Sequence, residues 1–361
     1  MTRFLIRRLV LAIPTLVGIS FVVFMLVALS PGGVSGGAGF DSGGAGASVI
    51  AQRRAYLDER YGLSDPVLVQ YARWLGRVSP VKFGERADEA GVTIVPRVVW
   101  VGAPDLGVAF SSGRRVSELI AEALPITLLL NVLAFPIVYA VAVPCGVVAA
   151  VRRGRVVDRV SRGVFVTLWS VPTIVAAVLL VGFLSGKYGW FPAGGLSSVG
   201  AERATFLPGT GSNGEFEMGW LLDRAWHLVL PVVCLVYGGF AVLSRQTRAA
   251  VLEQLGADYV RTARAKGVPE GRIVTRHVLR NSLLPIITMF AALFPATLAG
   301  SVVVEKVFSI PGMGTLLIGA IDLRDREVLL GVALMIGVVN VVALLVADVL
   351  YAMVDPRISY E

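Results

Sequence analysis

The sequence is poor in charged residues. Lys, Arg, Asp and Glu make up 16% of its 361 residues, against about 25% in an average soluble domain. Hydrophobic residues make up 55%, and the mean hydropathy is +0.75. A water-soluble domain cannot bury that much apolar surface. The composition therefore excludes a soluble enzyme and an intrinsically disordered chain.

Residues that carry catalytic or metal chemistry are also scarce. The chain has two cysteines, without metal or redox spacing, and two histidines. It contains no Gly-x-x-x-x-Gly-Lys-[Ser/Thr] phosphate-binding loop, no His-Glu-x-x-His and no Gly-x-Ser-x-Gly motif. We therefore expect no enzyme activity, no resident metal or cofactor and no ATP site in this chain. The net charge of +8 is expected to report membrane orientation, with no nucleic acid as partner.

Long apolar runs are what the sequence does contain. A helix needs about 20 apolar residues to cross a bilayer. Six charge-poor runs reach that length, at 9–29, 123–151, 163–186, 225–244, 281–304 and 328–354. We expect an all-α polytopic membrane protein with six transmembrane helices in a lipid bilayer. The first run is too long for the apolar region of a cleaved signal peptide, so we expect it to remain as an anchor.

Basic residues concentrate in alternate loops, which predicts the orientation. The loops 152–162 and 245–280 contain five and eight basic residues against one and three acids, whereas 187–224 and 305–327 each contain three basic and four acidic residues. Both termini are thus expected in the cytoplasm. The predicted organisation is a transmembrane helix at 1–30, an extracytoplasmic segment at 31–122, a transmembrane core at 123–354 and a cytoplasmic tail at 355–361.

The predicted extracytoplasmic segment has mixed patterns. It opens with a Gly-rich stretch at 32–48, which favours mobile coil. Helical patterns follow at 50–61 and 66–75, and 92–101 is the one strand candidate.

The loop 245–280 carries the most informative pattern. Apolar residues from Val251 to Ala263 recur at helical spacing, which predicts one helix. Gly267 follows at a position that favours left-handed dihedrals, and Pro269 suits the first turn of a second helix running to about Arg280. On the residues alone, this basic helix–turn–helix is best interpreted as an amphipathic loop on anionic lipid.

The same loop resembles the coupling loop of ATP-binding-cassette importer permeases, whose pattern is E-A-A-x-x-x-G-x9-I-x-L-P. With Gly267 on the glycine, Ala263 matches, while Arg261 replaces the Glu and Arg280 replaces the Pro. The departures resemble the dipeptide/oligopeptide/nickel branch, with Y-[IV]-R-T-A-R-A-K-G at 259–267 and R-H-x-L-R-N-x-L-L-P at 276–285. Further resemblance to the B-type subunit of that branch lies at 13–20, 60–75, 305–314 and 355–357.

The resemblance implies a type I importer that moves small peptides across a bacterial or archaeal cytoplasmic membrane. Its parts would be two homologous permease subunits, of which this chain is one, two P-loop ATPase subunits that bind the ATP, and an extracytoplasmic substrate-binding protein. The loop around Gly267 would contact an ATPase. The residues that the resemblance assigns to this contact are Tyr259 and Ala263 for helix packing, Arg261, Arg264 and Lys266 for pairing with ATPase acids, and Gly267, Pro269, His277 and Arg280 along the same string.

Two alternatives stay open at this point. One is a permease of the same family for another solute, such as nickel, glutathione or an oligosaccharide. The other is a secondary transporter, which needs ionisable groups within the membrane. Asp348 is the only acid within a predicted span. Because it lies six residues before the end of that span, we expect a structural ion pair with a loop arginine and no proton relay.

Overall fold

The computed structural model describes residues 2–29, 47–87, 93–210 and 216–354. Most of the Gly-rich stretch and the predicted tail at 355–361 lie outside the described residues. The chain divides into two compact units. One draws on Met1–Arg8, Ala123–Thr315 and Val342–Glu361, and the other on Leu9–Glu122 and Leu316–Val341.

Long apolar helices dominate the fold. Five of the described helices contain stretches long and apolar enough to cross a membrane, and the count becomes six if one bent helix pair is a single span. The helices are α1 (Thr2–Leu29), α4 (Val116–Val151), the pair α5 (Val156–Ser170) and α6 (Thr173–Leu180, continuing as a π-helical turn to Lys187), α7 (Gly219–Leu255), α10 (Leu279–Val307) and α12 (Arg326–Val354).

The third span is not the single helix that the sequence predicted at 163–186. Helices α5 and α6 meet at an angle of 91°, because Pro172 interrupts the helix. Proline has no N–H, and it disfavours the helical conformation of the preceding residue. Val171 accordingly has extended dihedrals of φ −85° and ψ 118°. The Tyr237 hydroxyl donates a hydrogen bond to the freed Val171 carbonyl at 2.8 Å.

The helices that contain the fourth and fifth spans are longer than the apolar runs predicted for them. Helix α7 has 37 residues and is therefore about 55 Å long at 1.5 Å per residue, well beyond a hydrocarbon core of about 30 Å. The helix that contains the fifth span begins at Glu270, passes through a π-helical turn at Ile273–Val278 and ends at Val307. The second loop helix, predicted to end near Arg280, therefore continues into the fifth span.

The segment between the first two spans contains α2 (Ala47–Tyr61), α3 (Val67–Val78), β1 (Val81–Ala87) and β2 (Thr93–Val101). The predicted helices and the predicted strand are present, while β1 was missed. Strands β1 and β2 pair antiparallel. Tyr61, Tyr71 and Trp74 pack against Phe24 of α1 in a buried aromatic cluster.

A buried carboxylate fixes the turn that follows α10. The next helix, α11, spans Met313–Asp322. Glu305 is fully buried and accepts hydrogen bonds from the Thr127 hydroxyl at 2.7 Å and the Gly314 amide at 2.6 Å. A Cβ on Gly312 or Gly314 would lie within 3 Å of this carboxylate. Because any larger side chain would displace Glu305, the turn requires glycine at both positions.

The core of the first unit lies between α4, α7 and α10. It includes Leu130 and Phe135 of α4, Leu243 of α7 and Ile286 of α10, all less than a tenth exposed. Phe135 stacks on Phe294 with ring centres 5.3 Å apart. This packing joins α7 and α10, the two helices that the loop around Gly267 connects.

Candidate functional site

The loop between α7 and α10 contains one short helix and one tight turn. Helix α7 continues to Leu255, and α8 then occupies Asp258–Ala265. The single helix predicted from Val251 to Ala263 is therefore wrong, because the chain breaks at Gly256 and Ala257. Ala257 has extended dihedrals and caps α8. The apolar positions still share a face, since they pack into one cluster from two helices.

The turn after α8 has the geometry that the sequence predicted. Gly267 has φ +75°, in the left-handed region where glycine is favoured. Its N–H donates to the Arg264 carbonyl at 2.9 Å, and the Val268 N–H donates to the Ala263 carbonyl at 3.2 Å. These two bonds form a Schellman motif, the usual helix end with glycine at this position. A Cβ on Gly267 would meet no atom within 4 Å, so the requirement for glycine comes from the backbone.

An apolar cluster holds the loop against the end of α4. Its fully buried members Val251, Val260 and Ile273 come from α7, α8 and the π-helical turn, and Ala150 comes from α4. The side chains of Tyr259, Ala263 and Val268 pack against this cluster. Tyr259 also donates a hydrogen bond to Gln254 at 2.8 Å. The loop is therefore attached to the spans through a shared core.

The basic side chains of the loop point outward and form local pairs. Arg264 donates to both carboxylate oxygens of Glu270 at 2.6 and 3.3 Å, across the Gly267 turn. This bond lowers the pKa of the Glu270 carboxyl and raises that of Arg264. Arg261 lies 3.4 Å from Asp258, and Lys266 is exposed. The surface is basic and partly self-paired.

The remaining candidates follow the turn. Pro269 caps α9, which is the single turn Glu270–Arg272 at the start of the long helix. His277 lies in the π-helical turn and Arg280 in the first turn of α10, and both are exposed. The structure thus brings Tyr259, Ala263, Gly267 and Pro269 together at the turn, whereas His277 and Arg280 lie further along the helix.

Asp348 forms an ion pair with the first helix. Its carboxylate lies 3.2 Å from Nε of Arg8. The partner is therefore a residue of α1, and the prediction of a loop arginine is wrong. The Asp348 side chain is 17% exposed and that of Arg8 is 47% exposed, so the pair reaches solvent.

A second basic cluster near the loop was missed. Asp158 of α5 is fully buried and accepts two hydrogen bonds from Arg248 of α7 at 2.7 and 3.0 Å. It also accepts one from the Gly154 amide at 2.9 Å and lies 3.3 Å from Arg162. The signal was present in the sequence, since Asp158 is the single acid among five arginines in 152–162.

Two family models match the chain and together cover nearly all of it. Residues 142–360 match the model described as binding-protein-dependent transport system inner membrane component. Residues 1–131 match the model for the N-terminal part of such membrane components.

Full-length relatives and a solved structure agree with these models. The chain is 35% identical to the oligopeptide transport system permease protein AppB of Bacillus subtilis and 32% identical to the dipeptide transport system permease protein DppB of Escherichia coli, over the whole of each chain. A permease structure from the MetNI methionine ABC transporter, in an inward-facing conformation, matches 66% of this chain and 97% of its own at a TM-score of 0.50 and 17% identity, which shows the fold. The chain therefore belongs to the family of binding-protein-dependent transport system inner membrane components, as a permease subunit of an ABC importer.

Proposed function

We propose that this chain moves short peptides into the cell as one of two homologous permease subunits. The relatives that resemble it over their whole length are peptide permeases by name, and this carries the choice of substrate. Two ATPase subunits and an extracytoplasmic binding protein complete the importer. ATP is bound by the ATPases, since the sequence has no phosphate-binding loop.

The proposed topology places both termini and the loop 245–280 in the cytoplasm. The excess of Lys and Arg in 152–162 and 245–280 supports this orientation. It brings the basic surface of α8 to the side where the ATPases lie. A tag placed after Glu361 should therefore be protected from protease in intact cells and digested after lysis.

The loop is proposed to couple ATP use to transport. The Schellman motif defines the geometry of its turn, and the Arg264–Glu270 pair spans the turn on its exposed side. Its inner face shares a core with α4 and α7. A displacement of α8 would therefore be transmitted to those two helices. Arg261, Arg264 and Lys266 offer cations to acids on an ATPase, and Arg264 would exchange Glu270 for such an acid on docking.

The experiment compares valine substitutions at two glycines that have nearly the same left-handed φ angle. Gly267 and Gly154 have φ +75° and +77°, and a Cβ on either would meet no atom within 4 Å. Valine therefore adds the same strain at both positions, on the order of 1 kcal/mol. Gly154 lies in the other proposed cytoplasmic loop. In the complete complex, Gly267→Val should abolish peptide uptake and weaken co-purification of the ATPases, whereas Gly154→Val should leave both near the wild-type level.

Equal effects of the two valine variants would contradict a coupling role for the Gly267 turn. Competition of labelled peptide uptake by unlabelled peptides, nickel, glutathione or an oligosaccharide tests the substrate in the same cells. Only peptides should compete.

A further inference from the structure

The break in the third span borders a cavity within the first unit. The cavity has a volume of about 400 Å³, within the range of about 300–1,000 Å³ that is typical of small-molecule sites. Val171, Pro172 and Thr173 contribute the broken backbone to its wall. Helix α5 contributes Trp169, and helices α7 and α10 contribute the rest, including Gly238 and Thr297.

A broken helix at membrane depth is itself informative. Irregular backbone is tolerated there only where it is buried in protein or lines a cavity, and transporter sites are commonly built at such breaks. Here Tyr237 satisfies the Val171 carbonyl with a 2.8 Å hydrogen bond, so the break is stabilised from α7. The cavity is thus formed by hydrogen-bonded, packed elements of the fold.

Gly238 has no structural requirement for glycine. It lies inside α7, its φ is not positive, and a Cβ there would meet no atom within 4 Å. Its neighbour Gly239 is different, because a Cβ there would lie 3.1 Å from Val138. Glycine inside a helix is unfavourable relative to alanine. What the missing side chain of Gly238 does provide is open space in the cavity.

The chemistry of the wall indicates which part of a solute fits. Among the described residues that line it, none is charged, and the polar groups are Trp169, Thr173, Tyr237, Thr297 and the Cys234 thiol. A charged group would be desolvated there without a partner. The neutral wall therefore suits an uncharged side chain.

Cations lie directly beside this neutral space. A second cleft of about 160 Å³ shares Trp169 and Val242 with the cavity and is lined by Arg162, Arg245 and Arg248. Asp158 pairs with two of these arginines, which leaves a net positive charge in the cleft. A peptide with its side chain in the cavity can thus direct its carboxylate toward favourable charge.

We propose that the cavity at the α5–α6 break receives a side chain of the transported peptide, and that Gly238 sets the size of side chain that passes. The proposal rests on the proposed peptide transport. It assigns part of the size selectivity to the permease itself, in addition to the binding protein.

The test fills the cavity in steps. Gly238→Ala and Gly238→Leu extend into the open space, and alanine is also the better helix former. Gly163→Leu is the matched control, because Gly163 is an exposed helical glycine where an added Cβ would meet no atom within 4 Å, and it lines neither cavity. Uptake of labelled dialanine and diphenylalanine is measured in cells with the complete importer, and the yield of assembled complex is measured in parallel.

We expect Gly238→Leu to lower diphenylalanine uptake about tenfold while dialanine uptake falls less than twofold. Gly238→Ala should shift the ratio in the same direction by a smaller factor, and Gly163→Leu should leave it unchanged. Equal loss for both peptides, as from a lipid site or a packing defect, would overturn the proposal, and so would an unchanged ratio in both Gly238 variants. If wild-type cells import neither peptide above a strain lacking the gene, the proposed function fails, and this inference fails with it.

Discussion

Two arginine–glutamate pairs of the chain differ in their environment. In the second unit, Arg60 is 5% exposed and lies 3.3 Å from the fully buried Glu327. In the loop of the first unit, Arg264 is 44% exposed and pairs with Glu270, which is 62% exposed. The first pair is enclosed by protein, and the second is surrounded by solvent.

The buried region is a network. Arg60 donates to Asp105 at 2.7 Å, and the Tyr61 hydroxyl donates to Glu327 at 2.8 Å. Burial opposes the charge of Arg60, but its hydrogen bond with Asp105 and the field of Glu327 raise its pKa overall. The Arg326 guanidinium lies 4.4 Å from the Tyr61 ring centre, and within the described part of the chain its nitrogens have no hydrogen-bond partner.

The difference in solvent exposure determines how much each pair contributes to stability. Removing one member of a buried pair leaves the other charge desolvated, which costs about 3–5 kcal/mol. Exposed pairs contribute little, because water replaces the lost partner. The buried arginines therefore stabilise the fold of the second unit. The exposed arginines can exchange partners at little cost in free energy. The predictions below run from the largest expected effect on stability to the smallest.

Glu327→Ala should have the largest effect. It removes the carboxylate between Arg60 and Tyr61 and should destabilise the chain by about 3–5 kcal/mol, seen as a lower melting temperature of the detergent-solubilised complex. Glu122→Ala is the control, since Glu122 forms an exposed pair with Arg114, and it should leave melting unchanged. Equal melting temperatures of the two variants would contradict the expected difference in stability between buried and exposed ion pairs.

Arg326→Met should have a smaller effect than Glu327→Ala. The change removes the ring contacts of the guanidinium but also removes the cost of burying it without hydrogen bonds. We expect a net change within about 1 kcal/mol in either direction, measured by the same melting experiment. A loss as large as that of Glu327→Ala would mean that Arg326 is an essential counter-charge in the network.

Asp348→Asn should cost less than about 1 kcal/mol, because solvent reaches the half-exposed Arg8 and screens the pair. The yield of assembled complex should fall slightly, with no change in the pH dependence of uptake. Exchanging the two charges, Arg8→Asp with Asp348→Arg, should restore the yield. A loss of pH-dependent uptake at normal yield would instead favour proton coupling.

The combined change of Arg261, Arg264 and Lys266 to alanine should leave melting unchanged, since these side chains are exposed. It should nevertheless reduce peptide uptake and ATPase co-purification by tenfold or more, if the loop docks as proposed. Arg152→Ala with Arg153→Ala is the matched control in the neighbouring basic loop. Reduced melting with normal uptake would assign the three loop residues a structural role.

Several features of the loop were predictable because they depend on neighbours in the chain. Gly267 followed by Pro269 predicts a helix end and a new start, and the structure has both within four residues. The break at Gly256 and Ala257 was missed, because the apolar spacing runs through it without interruption. Both helices contribute to one cluster, so the pattern persists although the backbone changes direction.

By itself, the sequence determined the class of protein, the apolar segments that form its long helices and the turn at Gly267. Apolar run length and the steric demands of glycine and proline act over a few residues, and they hold in any fold. Only the tertiary structure decided the partners of the buried charges, the place of the cavity and the position of Gly238 in its wall. Glu327 meets Tyr61 across 266 positions, and Gly238 lines the same cavity as Pro172, which is 66 positions away. Such contacts arise from packing between distant segments, which no local pattern contains.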